Sequence, residues 1–356
     1  MPLDVAFIGA YSLRTFGGGV KWFIKLLNLL QSDGRIRPHL FVQDYVDYPR
    51  LERRHIKKMV CFDYHEIPRQ SGQLLPLSYR SKVFSASSLT SNIFEAVYVM
   101  ADRPHLLQKA MNIGERIIFG AHDPYLLHLN GQEKRRFEEL WRNVDAIHVL
   151  SPAQYRFSRY NPNLCSLPNT WLGQPAPVMK KFSKFTVLFF SRHEKEKGID
   201  ILHQVAKALP EDIDLYVAGS GTKTHLISEV RRSNIHLLGF LPEEQLYAYI
   251  ARSHAVLFPS RWESGLAMVA VEALAHYTPL VYRDMVENWI LKRHPLNVAA
   301  VSDKEFLEAI LHLKNLFETD RHGYLRQCSE LSRLLESSRS YLENFISLLT
   351  DGPSRS

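Results

Sequence analysis

From residue 185 onward the chain alternates short apolar runs with amphipathic stretches of helical length, and this alternation confines it to a parallel α/β architecture. Residues 185–190, 213–218, 235–238, 255–258 and 279–282 read as strands, and 198–209, 222–232, 243–251 and 267–276 as the helices between them. Runs that are apolar throughout, without alternation, are the mark of strands covered on both faces. A similar pattern occupies the first half. Residues 3–10 read as a strand, followed by Gly17, Gly18 and Gly19 and an apolar-periodic helix over 20–30. Further strands are expected at 39–43, 116–120 and 145–150, with a helix at 132–141. Residues 44–115 keep neither a helical nor a strand period and carry no assignment.

A Gly-, Pro- and Lys-rich stretch, 173–184, divides the two halves. Near the end, Leu325, Leu331, Leu334, Leu335, Leu342 and Phe345 recur at helical spacing, which predicts one or two helices packing back on the body. The expected domains are 1–175, 176–325 and a helical segment 326–350.

At 356 residues and 46% apolar, the chain has material for two hydrophobic cores, which excludes disorder as its main state. No repeat, low-complexity tract or apolar run long enough to span a bilayer is present. Met1-Pro2-Leu3-Asp4 lacks the basic start of a secretory signal, so a cytoplasmic location is expected. Cys61, Cys165 and Cys328 lie far apart and suit reduced thiols rather than disulfides. The whole of the +7 net charge falls in residues 1–175, the remainder being balanced. Arg50, Arg53, Arg54, His55, Lys57 and Lys58 form the densest basic cluster, open either to an anionic partner or to solvent. No nucleic-acid module is readable, and nucleic acid is not expected as a partner.

Residues with chemical potential gather just past the strands, where open α/β sheets bind ligands. After 185–190 come Arg192, a planar fork, and Lys197, a point charge; together they suit a diphosphate, though a lysine at a helix start is also an ordinary solvated cation. After 255–258, Glu263, Ser264, Gly265 and Leu266 lead into a helix whose backbone N–H groups can receive an anion. Glu272, inside that apolar helix, is costly unless it meets a core cation or sugar hydroxyls. Gly17, Gly18 and Gly19 permit close approach of phosphate to backbone, while the absence of Gly-x-Gly-x-x-Gly there argues against NAD. His122 ends a strand before Asp123; a lone histidine in such a turn is ordinarily structural. Asp44, at the end of the second strand, is placed either as a ribose-binding acid or, as is more ordinary, as a turn residue. Asp212-Ile213-Asp214 stands before a strand instead of after one, and no metal site is expected.

The segment 192–198, the Val217-Ala218-Gly219-Ser220-Gly221 turn, Leu238-Gly239-Phe240 with Pro242-Glu243, and 258–275 follow one another in an order and spacing that resembles the retaining family 4 glycosyltransferases (glycosyl transferases group 1) of the GT-B fold. Phe16 to Val20, Ala121-His122-Asp123, Val149-Leu150-Ser151 and Pro168-Asn169 resemble the family's first-half motifs. The resemblance implies two doubly wound Rossmann-like domains facing a cleft, with C-terminal helices packing back. It implies that Arg192 and Lys197 contact the donor diphosphate, Glu272 the ribose and Glu263 the hexose, with His122 near the transferred sugar. The family usually sets seven residues between its two glutamates; here Ser264 to Val271 make eight. Either a bulge carries Glu263 into the site or Ser264 fills its slot.

The expected activity is metal-independent, retaining transfer of a hexose from a nucleotide diphosphate sugar to a glycan or lipid-linked acceptor, with no further cofactor. Rival expectations are a nucleotide-sugar epimerase or hydrolase of the same fold and a non-catalytic nucleotide-sugar-binding subunit. Helix 20–30 has two apolar faces, Val20/Phe23/Ile24/Leu27/Leu30 and Trp22/Leu26/Leu29. The second is expected to lie under residues 44–115 or to dip into a membrane, a peripheral contact that a lipid-linked acceptor would use.

Overall fold

The structure, a computed structural model of the chain, describes residues 1–9, 18–42, 63–66, 94–100, 104–123, 126 and 128–351. Gly17, Asp44, Cys61 and the basic cluster 50–58 lie outside the described residues.

The chain divides into two compact units, Met1–Pro168 with Ser338–Ser356, and Asn169–Ser337. In the first, β1 (Leu3–Gly9) leads to helix α1 (Gly18–Asp33), β2 (Ile36–Val42), β3 (Asp63–Glu66) and β4 (Phe94–Met100). Helix α2 (Pro104–Ala110), β5 (Gly114–Gly120), α3 (Gly131–Arg142), β6 (Ala146–Val149) and β7 (Leu164–Ser166) follow. All pairings are parallel, in the order β3-β2-β1-β4-β5-β6-β7. The strand order reverses between β1 and β4, so the Gly18-Gly19 start of α1 follows the strand at the reversal.

Strand β4 and helix α2 fall in the segment that has no readable period. The reason is physical: every residue of β4 except Glu95 is buried, so nothing alternates along it. The core of this unit gathers Phe119, Phe137, Trp141 and Phe157 around the β5 and β6 strands, each such side chain contributing about 1.5–3 kcal/mol by burial.

The second unit runs β8 (Phe185–Phe190), α4 (Ile199–Ala208), β9 (Ile213–Ala218), α5 (Thr224–Ser228), β10 (Ile235–Gly239), α6 (Glu243–Arg252), β11 (Ala255–Phe258), α7 (Met268–Ala275), β12 (Leu280–Arg283) and β13 (Val298–Ala300). Its parallel sheet has the order β10-β9-β8-β11-β12-β13, reversing between β8 and β11. Helices α8 (Asp303–Thr319) and α9 (Arg321–Cys328) complete it. The start of α8 is a reciprocal cap: Glu305 N–H donates to Ser302 Oγ, and the Glu305 carboxylate accepts from Val301 N–H at 2.8 Å. Both units are thus Rossmann-like, with helices among parallel strands.

The final segment divides differently from the single 326–350 block expected. Cys328 and Leu331 are buried in the core of the second unit, whereas α10 (Ser338–Thr350) belongs to the first. There Tyr341 stands edge-on to Trp22 at 6.2 Å and Phe345 packs on Tyr98 at 5.2 Å. Trp22 and Leu26 are fully buried, and Tyr341 of α10 packs on α1 at Trp22. Among the described residues no helix is long and apolar enough to cross a membrane.

Candidate active site

In the second unit the loops after β8 and β11 bring Lys197 and Glu263 together at the strand reversal, the position at which open α/β sheets form ligand crevices, while Arg192 and Glu272 make separate contacts. Beyond β8, a short 3-10 turn, Lys195–Lys197, ends at Gly198, whose φ is +76°. A Cβ there would stand 2.5 Å from the Pro259 carbonyl oxygen, so both the left-handed backbone and the close approach of the two loops require glycine. The loops after β8 and β11 are braced further by Arg261. Its backbone N–H donates to the Glu196 carbonyl at 2.8 Å, and its guanidinium grips Asp200 through bonds of 2.6 and 2.9 Å.

This bracing brings Lys197 Nζ to 2.5 Å from Glu263 Oε1, with side chains only 17% and 13% exposed. Ser260 Oγ donates to the same oxygen at 2.6 Å. Lys197 Nζ also donates to the Trp262 carbonyl at 3.3 Å. The eight-residue spacing therefore leaves Glu263 a part of the site's charge network, and Arg261 pairs with Asp200. Arg192 is 66% exposed and stands 3.5 Å from Glu196, a fork at the surface. Ser264 is half-buried, and Gly265 and Leu266 are buried. Asn169 Nδ2 donates to the Leu266 carbonyl at 3.0 Å, tying the loop before α7 to the start of the unit.

Glu272 is 5% exposed in α7. The Tyr247 hydroxyl of α6 donates to Glu243, with the Glu272 carboxylate close beside it. Burial and these two carboxylates together hold the phenol well above its usual range. Around it His276 stacks on Tyr247 at 4.6 Å and Trp171 lies edge-on to His276 at 5.2 Å. Glu272 thus lies beside the Tyr247 phenol, which packs with His276 and Trp171.

In the first unit, Gly18 and Gly19 open α1, and space for a Cβ is open at Gly19. His122 follows β5 and is partly buried. Its Nε2 is 2.7 Å from the Tyr98 hydroxyl, and Trp22 covers the ring at 4.9 Å. Burial, then the neighbouring His148, lowers its pKa well below the usual histidine value. Ser260, Tyr98 and His148 are site residues that sequence reasoning missed. Ser260 had a signal in its place just past a strand; Tyr98 had none, sitting in a run buried on both sides.

Asp214 pairs with Lys184 at 2.6 Å and Asp212 with Lys314 at 3.0 Å, so the Asp-x-Asp pair is committed to lysines. Among the described residues, no group of three or more His, Cys, Asp or Glu side chains is placed to hold a metal ion.

Residues 184–315 match the family model "Glycosyl transferases group 1". A protein of Klebsiella pneumoniae, described as an uncharacterized 41.2 kDa protein in cps region, is 34% identical over 100 residues. That match spans 28% of this chain and 27% of the relative, so it covers about a quarter of either protein. Among solved structures, Anabaena Alr3699/HepE in complex with UDP and glucose superposes with a TM-score of 0.72 at 14% identity, covering 98% of this chain and 100% of that one. A point mutant of S. aureus TarM, in complex with fondaparinux, alpha-GlcNAc-glycerol and UDP, gives 0.74 at 12% identity over 98% and 100%. WaaG, a glycosyltransferase involved in lipopolysaccharide biosynthesis, gives 0.68 at 15% identity over 98% and 100%. The chain accordingly has the GT-B fold, and its residues 184–315 match the glycosyl transferases group 1 model.

Proposed function

We propose that the protein is a retaining, metal-independent glycosyltransferase that moves a hexose from a nucleotide diphosphate sugar to a glycan or lipid-linked acceptor. The observation that carries this reading is the Lys197–Glu263 pair at the reversal between β8 and β11, inside the matched family segment. A cation and a carboxylate held side by side supply what the two ends of a sugar diphosphate need. Lys197, joined by the exposed fork of Arg192, takes the diphosphate, and Glu263 accepts sugar hydroxyls. Backbone N–H groups of Ser264, Gly265 and Leu266 before α7 add further donors to the phosphate. Glu272 accepts the ribose hydroxyls, and Gly17, Gly18 and Gly19 admit the phosphate or acceptor to the first unit.

In the reaction the bond from the anomeric carbon to the diphosphate oxygen breaks, and the electron pair leaves with the phosphate. The acceptor oxygen attacks the same face, and its proton passes to the departing phosphate oxygen. Positive side chains and peptide dipoles stabilise the charge on the leaving group, work that a divalent metal does elsewhere. HepE and TarM were crystallised with UDP, so UDP-sugars are the first donors to try.

A thermal-shift panel of UDP-, GDP- and ADP-sugars tests the reading. A donor at 100 times its dissociation constant stabilises the fold by about 2.7 kcal/mol, or roughly 5–10 °C for a unit of this size. Transfer of the sugar to an acceptor with retained anomeric configuration, followed by NMR, is the expected next result. No shift with any nucleotide sugar overturns the proposal. Sugar release without any acceptor points instead to a hydrolase, and binding without turnover to a non-catalytic subunit.

A further inference from the structure

A pocket of about 340 Å³ lies in the second unit, where the loops after β12 and β13 meet helix α4. Its walls include Asp200 and Gln204 of α4, Arg261, Arg283 at the end of β12, and Val301 and Asp303 at the start of α8. Ligand pockets run from about 300 to 1,000 Å³, so this one suits a molecule of a single sugar ring with a small substituent.

The charges on its walls are only partly matched. Asp200 is neutralised by the fork of Arg261, through bonds of 2.6 and 2.9 Å. Asp284, next to Arg283 in sequence, is held by Lys292 at 2.6 Å. Arg283, half-buried, keeps one bond, from Nη1 to the Val301 carbonyl at 3.1 Å. Among the described residues its Nε and Nη2 have no acceptor, and the exposed Asp303 carboxylate has no cation. Arg283 and Asp303 thus share a pocket without pairing to each other.

Two unmet groups of opposite sign define what fits between them. The planar guanidinium calls for a phosphate or carboxylate. The Asp303 carboxylate only accepts, and so calls for hydroxyls, while the exposed Gln204 amide both donates and accepts. Val301, 53% exposed, offers apolar surface to the C–H edges of a ring. Bare inorganic phosphate would satisfy Arg283 but meet Asp303 as a like charge; a sugar ring keeps the two apart.

We propose that this pocket binds a hexose phosphate, with its phosphate on Arg283 and its hydroxyls on Asp303 and Gln204, and that it is an effector site. Arg261, on its wall, braces the loops that carry Lys197 and Glu263, so an occupant that stiffens this brace favours donor binding. The effector clause rests on the transferase reading; the binding site does not.

Isothermal titration of the full chain with the 1- and 6-phosphates of glucose, galactose and mannose tests the site, with UDP present throughout to occupy the donor crevice. At least one hexose phosphate should bind in one-to-one ratio, and inorganic phosphate more weakly. Arg283→Gln should weaken that binding by about ten- to a hundredfold, the size of a charged hydrogen bond. Gln204→Trp, at an exposed helix position, should fill the pocket and abolish binding with the melting curve unchanged; if Arg283→Gln does not fold, this variant alone decides. No binding of any hexose phosphate, or binding that survives the substitutions, overturns the site. Inorganic phosphate binding as tightly as the hexose phosphates overturns the sugar assignment. In initial-rate assays the bound hexose phosphate should lower KM for a UDP-sugar donor by about fivefold, the low end of coupling between sites, in the wild type and not in Gln204→Trp. An unchanged KM, or binding to a chain without transferase activity, rejects the effector clause and leaves the site standing.

Discussion

Glu263→Gln tests the centre of the proposed site most directly, because it keeps volume and shape while removing one charge. Ser260 can still donate to the amide oxygen, but the ion pair to Lys197 at 2.5 Å is lost. With both side chains less than a fifth exposed, the pair is screened little by water. Hydrogen bonds to charged groups contribute about 1.5–3 kcal/mol and neutral ones about 0.5–1.5 kcal/mol, so the stability cost is about 1–2 kcal/mol. That corresponds to a fall in Tm of roughly 2–8 °C. Turnover should suffer more, since a contact that strengthens in the transition state is worth about 2–4 kcal/mol, or about thirty- to a thousandfold. Ser264→Ala, losing a neutral hydroxyl, should stay within a few fold of wild type. The assay is initial-rate donor consumption beside thermal unfolding of Glu263→Gln, Lys197→Met and the double variant, with a coupling above about 1 kcal/mol expected. Near-wild-type turnover in Glu263→Gln with a large loss in Ser264→Ala would put Ser264 in the sugar slot. Small losses in both would reduce Lys197–Glu263 to a structural brace and refute the reasoning.

Gly198→Ala should destabilise the second unit by about 1–2 kcal/mol from the left-handed backbone alone, with the Pro259 carbonyl adding to it; an unaltered melting curve would count against the strain. EDTA should leave turnover within about twofold of its untreated value, as expected where side chains and peptide dipoles carry the leaving-group charge, and strict dependence on added Mg²⁺ would contradict the proposed chemistry. His254 accepts from Thr186 N–H at 3.0 Å between Phe185 and Phe317. Burial, then Lys181 and Arg321, lower its pKa from 6.5 to about 3. Between those values the unfolded chain binds the proton and the folded chain does not, so stability should fall as pH falls, by at most about 1.4 kcal/mol per pH unit. His254→Asn, which keeps an acceptor without titrating, should flatten urea-measured stability between pH 6 and 4; an unchanged slope would exclude His254 as its source.

Much of the second unit was legible in the sequence alone. The runs 185–190, 213–218 and 255–258 coincide with β8, β9 and β11, because a strand covered on both faces shows its burial in composition. Glu263 and Glu272 stood out as candidates for a related reason, a carboxylate in a Gly-containing loop or inside an apolar helix being costly unless it is used, whereas Arg192 and Lys197 stood out only by their place past a strand. The same composition hid β4, whose continuous burial offers no period and whose flanks lack a clear turn. Helix α8 also escaped, although Ser302 and Glu305 spell its capping box.

Alternation of apolar and amphipathic runs follows from backbone geometry and local burial, so the sequence by itself determined two parallel α/β units and the loops that bear the charged residues. Which of those charges touch was decided only in three dimensions. Glu263 finds Lys197 and not Arg261 because Arg261 is taken by Asp200, a choice made by loops that meet across two neighbouring strands. Tyr98, His122 and His148 lie 24 and 50 positions apart in their two bonds. No local pattern encodes that meeting, because strand pairing sets it: β4 beside β5 and β5 beside β6 bring the three side chains within one hydrogen bond of each other.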